Sequence, residues 1–455
     1  MADVLPNDTK GIVYPSDSKI EKLNLITSDG NSMNLRKLMI EFSYLEDIYS
    51  FCVSGYVSVT DAQGFIENLQ LTGNEFIEVN FGKVKDTENN DDQIFRVYKV
   101  GDRKPAENMT SETYKLYFCS EEFFLSEQIK ITQSYKGKKI SDIITDVLTE
   151  KLKVSDKIDV IEPTKGLYDF IIPRMKPLEA ISWLSTYARS QDYSGSDMLF
   201  FETRYGFTFR SLQSMYADDV YDSYKFQPKN LSKDVTQLQD KVTTILDYEI
   251  LKSYDALNEV SSGVFANRLI SIDPLIRSFY TTDFDYNNYV SSSQKLNKYP
   301  PTNYLINRLN KSQNEEYESV VKVAISNKDE IKVSYIQSKG GAGIAKDIFI
   351  ETYIPYRTSQ INLAHYTTLK LTIPGDSGIY AGSVIQFDLN SLDSGKKTKD
   401  SDRFYSGKYL VTAVRQIVQT AGVFQTVLEI IKESSPTKFG IVNNDSPAIK
   451  QVKQS

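Results

Sequence analysis

The residue types that perform chemistry are scarce or poorly spaced in this chain. Its one histidine, His365, reads as part of a short helix and has no cysteine or second histidine beside it. Neither a metal site nor a histidine-based triad is easily built from it. The two cysteines, Cys52 and Cys119, fall in segments that read as strands, far from any Cys-x-x-Cys spacing. They read as buried, reduced core thiols. Sixty acidic residues make adjacent pairs such as Glu46 and Asp47, Asp91 and Asp92, or Asp218 and Asp219 unavoidable. Catalytic carboxylates must oppose each other across a cleft in environments that separate their pKa values, whereas neighbours on a strand point to opposite faces. These pairs therefore read as solvated charge. The run Gly340, Gly341, Ala342, Gly343 has no Gly-Lys-Ser/Thr behind it and no buried strand before it, so it is a flexible joint and not a phosphate cradle. There is no Gly-x-Ser-x-Gly elbow and no His-Glu-x-x-His. No catalytic, cofactor-binding or metal-ligating residue is assigned, no cofactor is expected, and the chain reads as a building part and not as an enzyme.

The elements point the same way. Residues 406–418 and 424–433 are rich in β-branched and aromatic side chains and read as a long antiparallel hairpin, with Gly422 supplying the permissive backbone of its turn. A weaker copy occupies 94–101 and 114–122, and each hairpin is preceded by another strand, 73–81 in the first and 382–389 in the second. The chain thus reads as carrying one small β domain twice. The first spans 1–125, where strands at 20–27 and 38–62 join the hairpin; in 55–61 Tyr56, Ser58 and Thr60 alternate with Val57 and Val59. Residues 126–215 read as a middle α+β domain. Ile140, Ile143, Ile144, Val147, Leu148 and Leu152 form one apolar helical stripe, a second helix opens at Pro177, and 198–203 with 207–212 form a hairpin around Arg204, Tyr205 and Gly206. The second β domain is discontinuous, 216–285 with 350–435. Between its parts lies an irregular insertion, 286–349, containing a strand near 320–325 and a polar run, 287–297, with no clear pattern. Residues 436–455 read as a tail that orders against a partner.

At 455 residues the chain calls for about three or four such domains. Thirty tyrosines and 23 phenylalanines against one tryptophan suit half-buried strands and large contact surfaces. A net charge of −7 disfavours tight contact with phosphate backbones, although an acidic wall would let nucleic acid slide past without sticking. The N-terminus has no basic stretch followed by an apolar core, and no apolar run reaches membrane-spanning length, so no secretory signal and no membrane anchor are expected.

The residues 44–49, 53–57 and Asp61 resemble the first tube domain of phage baseplate hub proteins, the central hub of contractile-tailed phages and its relatives in secretion spikes. Residues 171–173 with 177–181, Phe200, Phe201, Gly206 and Phe207, 263–266 with Asp273, 374–378 with Gly382, and 406–412 extend the likeness over most of the chain. Gln416 departs from it: many relatives carry histidine after the arginine of the C-terminal hairpin.

The resemblance implies a β-rich α+β multidomain fold with two antiparallel β-barrel tube domains. It also implies a homotrimer whose six tube domains form a ring with pseudo-sixfold symmetry. Such a ring would adapt a hexameric tail tube to a trimeric central spike and line a channel with predominantly acidic residues, through which DNA passes without specific binding. The implied partners are the chain itself, a tail tube protein, a central spike protein and other baseplate proteins, in a virion tail assembled in the host bacterial cytoplasm. A hub or spike component of a related contractile injection or secretion machine, a receptor- or carbohydrate-binding tail module, and a wall-degrading enzyme with two opposed carboxylates in the middle domain stand as alternatives. Interface residues are not assigned.

Overall fold

The computed structural model describes residues 18–64, 71–83, 92–105, 111–226, 243–274, 277–301, 319–325, 350–390, 401–420 and 423–438. Gly422, the Gly340–Gly343 run, Asp91 and most of the C-terminal tail lie outside these residues.

The chain opens with seven strands: β1 (Ser18–Ile26), β2 (Ser32–Asn34), β3 (Met39–Asp47), β4 (Ser54–Asp61), β5 (Phe76–Lys83), β6 (Gln93–Pro105) and β7 (Glu112–Cys119). They hydrogen-bond in the order β3-β4-β7-β6-β5-β1-β2, all antiparallel. Alternation sets the curvature's inner face: Val57 and Val59 are fully buried while Tyr56, Ser58 and Thr60 are not, as their period of two requires. The core inside is aromatic. Phe118 lies flat against Phe42 and Phe95, and Phe81 leans on Phe42 and Tyr44.

The middle part begins with helix α1 (Glu121–Gln128) and strand β8 (Ile131–Lys138). Helix α2 (Ile140–Asp146) then runs into a π-helical turn, Val147–Leu152, and together they bury the whole expected stripe. Strands β9 (Ile158–Ile161) and β10 (Tyr168–Met175), helix α3 (Pro177–Ser185), strands β11 (Met198–Thr203) and β12 (Gly206–Ser211), and helix α4 (Leu212–Tyr216) complete it. Leu212, expected at the end of the hairpin, instead starts α4, because the Ser211 hydroxyl accepts from the Ser214 N–H as an N-cap.

Strands β13 (Val220–Phe226), β14 (Thr244–Ile245) and β15 (Asp247–Lys252) follow, then helix α5 (Ala256–Ser261), strands β16 (Ala266–Asp273) and β17 (Ser278–Asp285), helix α6 (Tyr286–Ser292) and strand β18 (Val320–Ile325). β16, β17 and β18 form a small sheet of their own, β18 lying parallel to β16. Helix α6 covers part of the polar run that has no periodic pattern; it starts where the Asp285 carboxylate caps the Asn287 N–H and it buries Tyr286 and Tyr289. After helix α7 (Ile354–Ala364) come β19 (Thr367–Pro374), β20 (Val384–Leu389), β21 (Gly407–Gln419) and β22 (Phe424–Lys432). His365 caps the end of α7.

β21 organises the large sheet. Its first residues pair with β20 and its last with β3, from Ala413 opposite Asp47 to Gln419 opposite Glu41, while β22 lies along its other edge. β22 continues to β19 and β19 to β15. The stretch 244–252 pairs with β13 through its first two residues and with β19 beyond, so hydrogen bonding runs round this second β unit and returns to β13. The fold is therefore mostly β, with one large curled sheet running through both β units.

The cysteines differ from expectation in one respect. Cys119 is buried in β7, but Cys52 sits half-buried in the bend between β3 and β4, where the chain reverses too tightly to stay extended. Burial pushes the Cys52 thiol up to about 11 and the Cys119 thiol up to about 12, which keeps both inert.

Gly55 marks the tightest point of the first unit, since a Cβ there would lie 2.2 Å from the Ser43 carbonyl oxygen and 2.4 Å from the Phe118 ring. Gly55→Ala is expected to cost about 1–3 kcal/mol, the usual penalty for overpacking a filled core. Urea unfolding checks it; an unchanged midpoint would mean the Phe118 stack yields freely.

Candidate functional site

Of the acidic pairs, Glu46, Asp47, Asp92 and Asp218 each have partners of their own. Glu46 and Asp47 point to opposite faces of β3, as strand geometry demands: Glu46 is buried and Asp47 accepts from the Tyr49 N–H at 2.8 Å. Asp218 is held by both terminal nitrogens of Arg210 at 2.8 Å each. Asp92 binds Lys22 and Asn80. His365 meets the Tyr49 hydroxyl at 2.8 Å through Nε2, and burial lowers its pKa. Among the described residues no three His, Cys, Asp or Glu side chains converge as a metal site would require. A cavity of about 30 Å³ lies among Asp197, Gln213, Tyr289, Gln360 and Glu433, room for a water and not for a substrate. A wider groove between α3 and α7 is lined by Tyr187, Lys322, Tyr353 and Arg357, with no carboxylate among the described residues that line it.

What the buried charges do instead is join the parts of the chain. The Glu46 carboxylate accepts from the Tyr44 hydroxyl at 2.9 Å, from the Arg204 N–H at the β11–β12 turn at 2.7 Å, and from the Ala381 N–H ahead of β20 at 2.9 Å. One side chain thus ties the first β unit, the middle part and the second β unit. Burial raises its pKa, and these three donors oppose the rise. Arg204 also donates through its guanidinium to the Ser377 carbonyl. Glu202 accepts from the Val53 N–H at 2.9 Å, binding the middle part to the bend that holds Cys52.

A second knot lies under the C-terminal hairpin. Gln416 donates to the Asp376 carbonyl at 2.8 Å and accepts from the Thr426 hydroxyl at 2.7 Å, while Thr426 accepts from the Asp376 N–H at 2.9 Å. Tyr221 and Tyr224 donate to the Asp376 carboxylate. Gln416, the position where the family resemblance breaks, is thus a buried cross-brace with both ends used. Lys432 is buried at the end of β22, donates to the carbonyls of Phe404, Tyr405 and Ser406, and burial lowers its pKa to about 7. A depressed lysine can serve as a nucleophile, but here the carbonyls occupy its donors.

None of these partners was legible in the sequence. Glu46, Glu202 and Lys432 carry no local signal that separates a buried charge from a solvated one, and the Arg204 and Ala381 donors to Glu46 and the Val53 donor to Glu202 lie more than a hundred residues away.

The aromatic-rich region divides. Phe265, Phe284, Tyr286 and Tyr289 pack inside the chain against Leu363 and Tyr366, whereas Phe279, Tyr280 and Tyr254 are exposed. On the outer face of the small sheet Ile325, Ile272 and Phe279 stand side by side in register, with Val323 and Val321 beyond them, all exposed.

Stability is expected to pass through a minimum near neutral pH. Burial pushes the Glu202 carboxyl up to about 7 and that of Asp197 up to about 6. The unfolded carboxyls titrate near 4, so between about pH 4 and 7 the folded chain holds the extra protons and stability falls as pH rises, by up to about 1.4 kcal/mol per unit for each group in its window. Lys432 acts oppositely: from about 7 to about 10 the unfolded chain holds the extra proton, and stability rises with pH. Urea midpoints from pH 5 to 9 read the profile. Glu202→Gln is expected to flatten only the acidic limb and Lys432→Met only the alkaline one.

No protein-family profile matches the chain. In sequence it is 25% identical over 401 residues to the probable baseplate hub protein gp334 of Vibrio phage KVP40, covering 84% of this chain and 87% of that one. In structure it resembles the tail protein from Neisseria meningitidis MC58, with a TM-score of 0.50 at 10% identity, over 90% of this chain and 96% of the other. The 43 kDa tail protein of prophage MuSo2 from Shewanella oneidensis aligns over 90% of this chain and 98% of its own, with a TM-score of 0.49 at 9% identity. Along most of its length the chain is thus similar in sequence to a probable phage baseplate hub protein, and its fold is like that of a tail protein.

Proposed function

We propose that the chain is a structural hub of a phage tail baseplate, a homotrimer whose six β units form a ring that adapts a hexameric tail tube to a trimeric central spike and lines the channel for DNA. The carrying observation is a repeated strand plan. β3, β4, β5, β6 and β7 follow one another in sequence and stand in space as β3-β4-β7-β6-β5; β15, β19, β20, β21 and β22 stand as β15-β19-β22-β21-β20, again antiparallel throughout. β6 and β21 are both 13 residues long, and each slips register against the last strand of its set at a matching place, between Val97 and Lys99 in one and between Val411 and Ala413 in the other.

In this reading the first tube unit is β1–β7 and the second is β13–β15 with β19–β22; the small sheet β16–β18 is inserted between the first two strands of the second copy. Two like units joined edge to edge supply one joint of a ring, and three such chains supply six near-equivalent positions. The plans part company beyond the five strands. β1 runs antiparallel to β5, but β13 runs parallel to β20, so the units offer different surfaces on that side. That difference leaves room for true threefold symmetry at the spike end.

The test is solution mass by light scattering on a sizing column, with and without the tube and spike proteins. About three times the 51.8 kDa chain is expected, as ring-shaped particles. A chain that stays monomeric with every neighbour present would overturn the ring.

A further inference from the structure

The geometry points to a peptide-docking site at the open edge of β18, where an extended acidic segment of another protein adds as one more strand of the small sheet, its acidic side chains turned into the groove beside α7. The inference goes beyond the hub reading and does not depend on the ring.

Edge, charge and alternation coincide there. The small sheet runs β17-β16-β18, so β18 has β16 on one side and, among the described residues, no strand on the other. Backbone N–H and C=O groups along such an edge are a template for an added strand.

The groove supplies the charge. It measures about 500 Å³, within the range of sites that hold ligand groups, and is lined by Tyr187, Lys322, Tyr353, Ile354, Arg357 and Ile361. Lys322 stands on β18 itself and donates to the Thr358 hydroxyl of α7 at 2.5 Å. Its surroundings take water from the ammonium and lower its pKa, and no acidic group opposes the effect. Arg357 donates to the carbonyls of Ser196 and Met198 at 2.9 and 3.0 Å, both through Nη1. Burial lowers its pKa too, against a weaker pull from Asp197. No carboxylate stands among the described residues that line the groove, so two partly desolvated cations border it without a counter-ion there. A carboxylate entering the groove would supply one through charge-assisted hydrogen bonds. The other edge of the sheet is unsuited to the same segment, because β17 carries Asp283 and Asp285.

Alternation along β18 defines the rest of the segment. Val320, Lys322 and Ala324 share the face toward α7, while Val321, Val323 and Ile325 stand on the opposite face, 47%, 63% and 78% exposed. Ile272 and Phe279 continue that apolar face across the sheet. A strand laid beside β18 has the same period of two. Residues level with Lys322 and Ala324 fall on the groove side, and those between them fall beside Val323 and Ile325. The segment that satisfies both faces alternates acidic with apolar residues. A helix or a compact surface would meet only one face.

The experiment titrates the full-length chain with two fluorescent synthetic peptides of identical composition, one alternating valine with glutamate and one carrying the valines in a block before the glutamates. Anisotropy reads binding, and hydrogen exchange read by mass spectrometry locates it. The alternating peptide is expected to bind and to slow exchange in Val320–Ile325, and the block peptide to bind about tenfold less tightly or worse, since it can serve only one face. Lys322→Glu is expected to weaken the alternating peptide about tenfold or more, by setting like charges together. Val323→Ser, which leaves the groove's charge intact, is expected to weaken it severalfold. Equal binding of the two peptides, binding indifferent to Lys322→Glu, or unchanged exchange in Val320–Ile325 would each overturn the site. Amides of Val320–Ile325 as protected in the chain alone as those of the central strand β16 would overturn it as well, because the edge would then be covered by the chain itself.

Discussion

The pairing of β21 with β3 is the constraint on which the rest of the molecule depends. It joins residues some 370 positions apart by an ordinary backbone ladder, and its closure cost is entropic and grows only slowly with the length of the loop it closes. Once made, it turns two curled β units into one sheet. Val418 and Phe424, at the tip of the β21–β22 hairpin, are buried in the core of the first unit with Phe42 and Tyr44. The hairpin therefore does not rest against its neighbour but supplies part of its interior. The middle part is committed in the same manner: Leu199, Phe201, Met215 and Tyr216 lie in the core of the second β unit while Phe200 and Phe207 lie in that of the middle one, the two faces of β11 serving different interiors.

Where these units meet, buried ionisable groups take the place of apolar packing. Glu46, Glu202 and Glu433 all accept backbone N–H groups from distant segments: Ala381 and Arg204 for Glu46, Val53 for Glu202, and Leu296 for Glu433. Apolar side chains of similar size would often stabilise such places as well or better. What a carboxylate adds is direction, since it is satisfied only when specific donors arrive in a specific geometry. Leaving its partners unmet costs about 1–3 kcal/mol for each buried donor. This selects one arrangement of the units over others that would bury a similar apolar area, which suits a part whose shape must match its neighbours.

Much of the local structure was legible because it follows from short-range patterning. The alternation in 55–61, the stripe from Ile140 to Leu152 and the proline that opens α3 each depend on neighbours within a few positions, and each appears as read. Cys52 was misplaced because apolar alternation runs on through the bend from Asp47 to Val53, which is set by Glu202 reaching the Val53 N–H from 149 residues away. Helix α6 was illegible because its apolar side is made of tyrosines within a polar run, and burial against Phe284 and Tyr356 decides it. The β21–β3 joint was beyond reach for the same reason. A strand carries its alternation in its sequence but not the identity of the edge it will meet.

A strand edge is also an economical joint for a part used in several near-equivalent places. The backbone ladder asks little of side chains: at the β21–β3 joint Arg415 donates to Ser43 and Tyr56, and the ladder itself is main chain. The same generality is a hazard, because an open edge accepts any extended segment. Making the β21–β3 joint inside the chain lowers that risk. On the ring reading only every second joint is intermolecular, and each association then bears the cost of lost translational freedom once for two units instead of once for each.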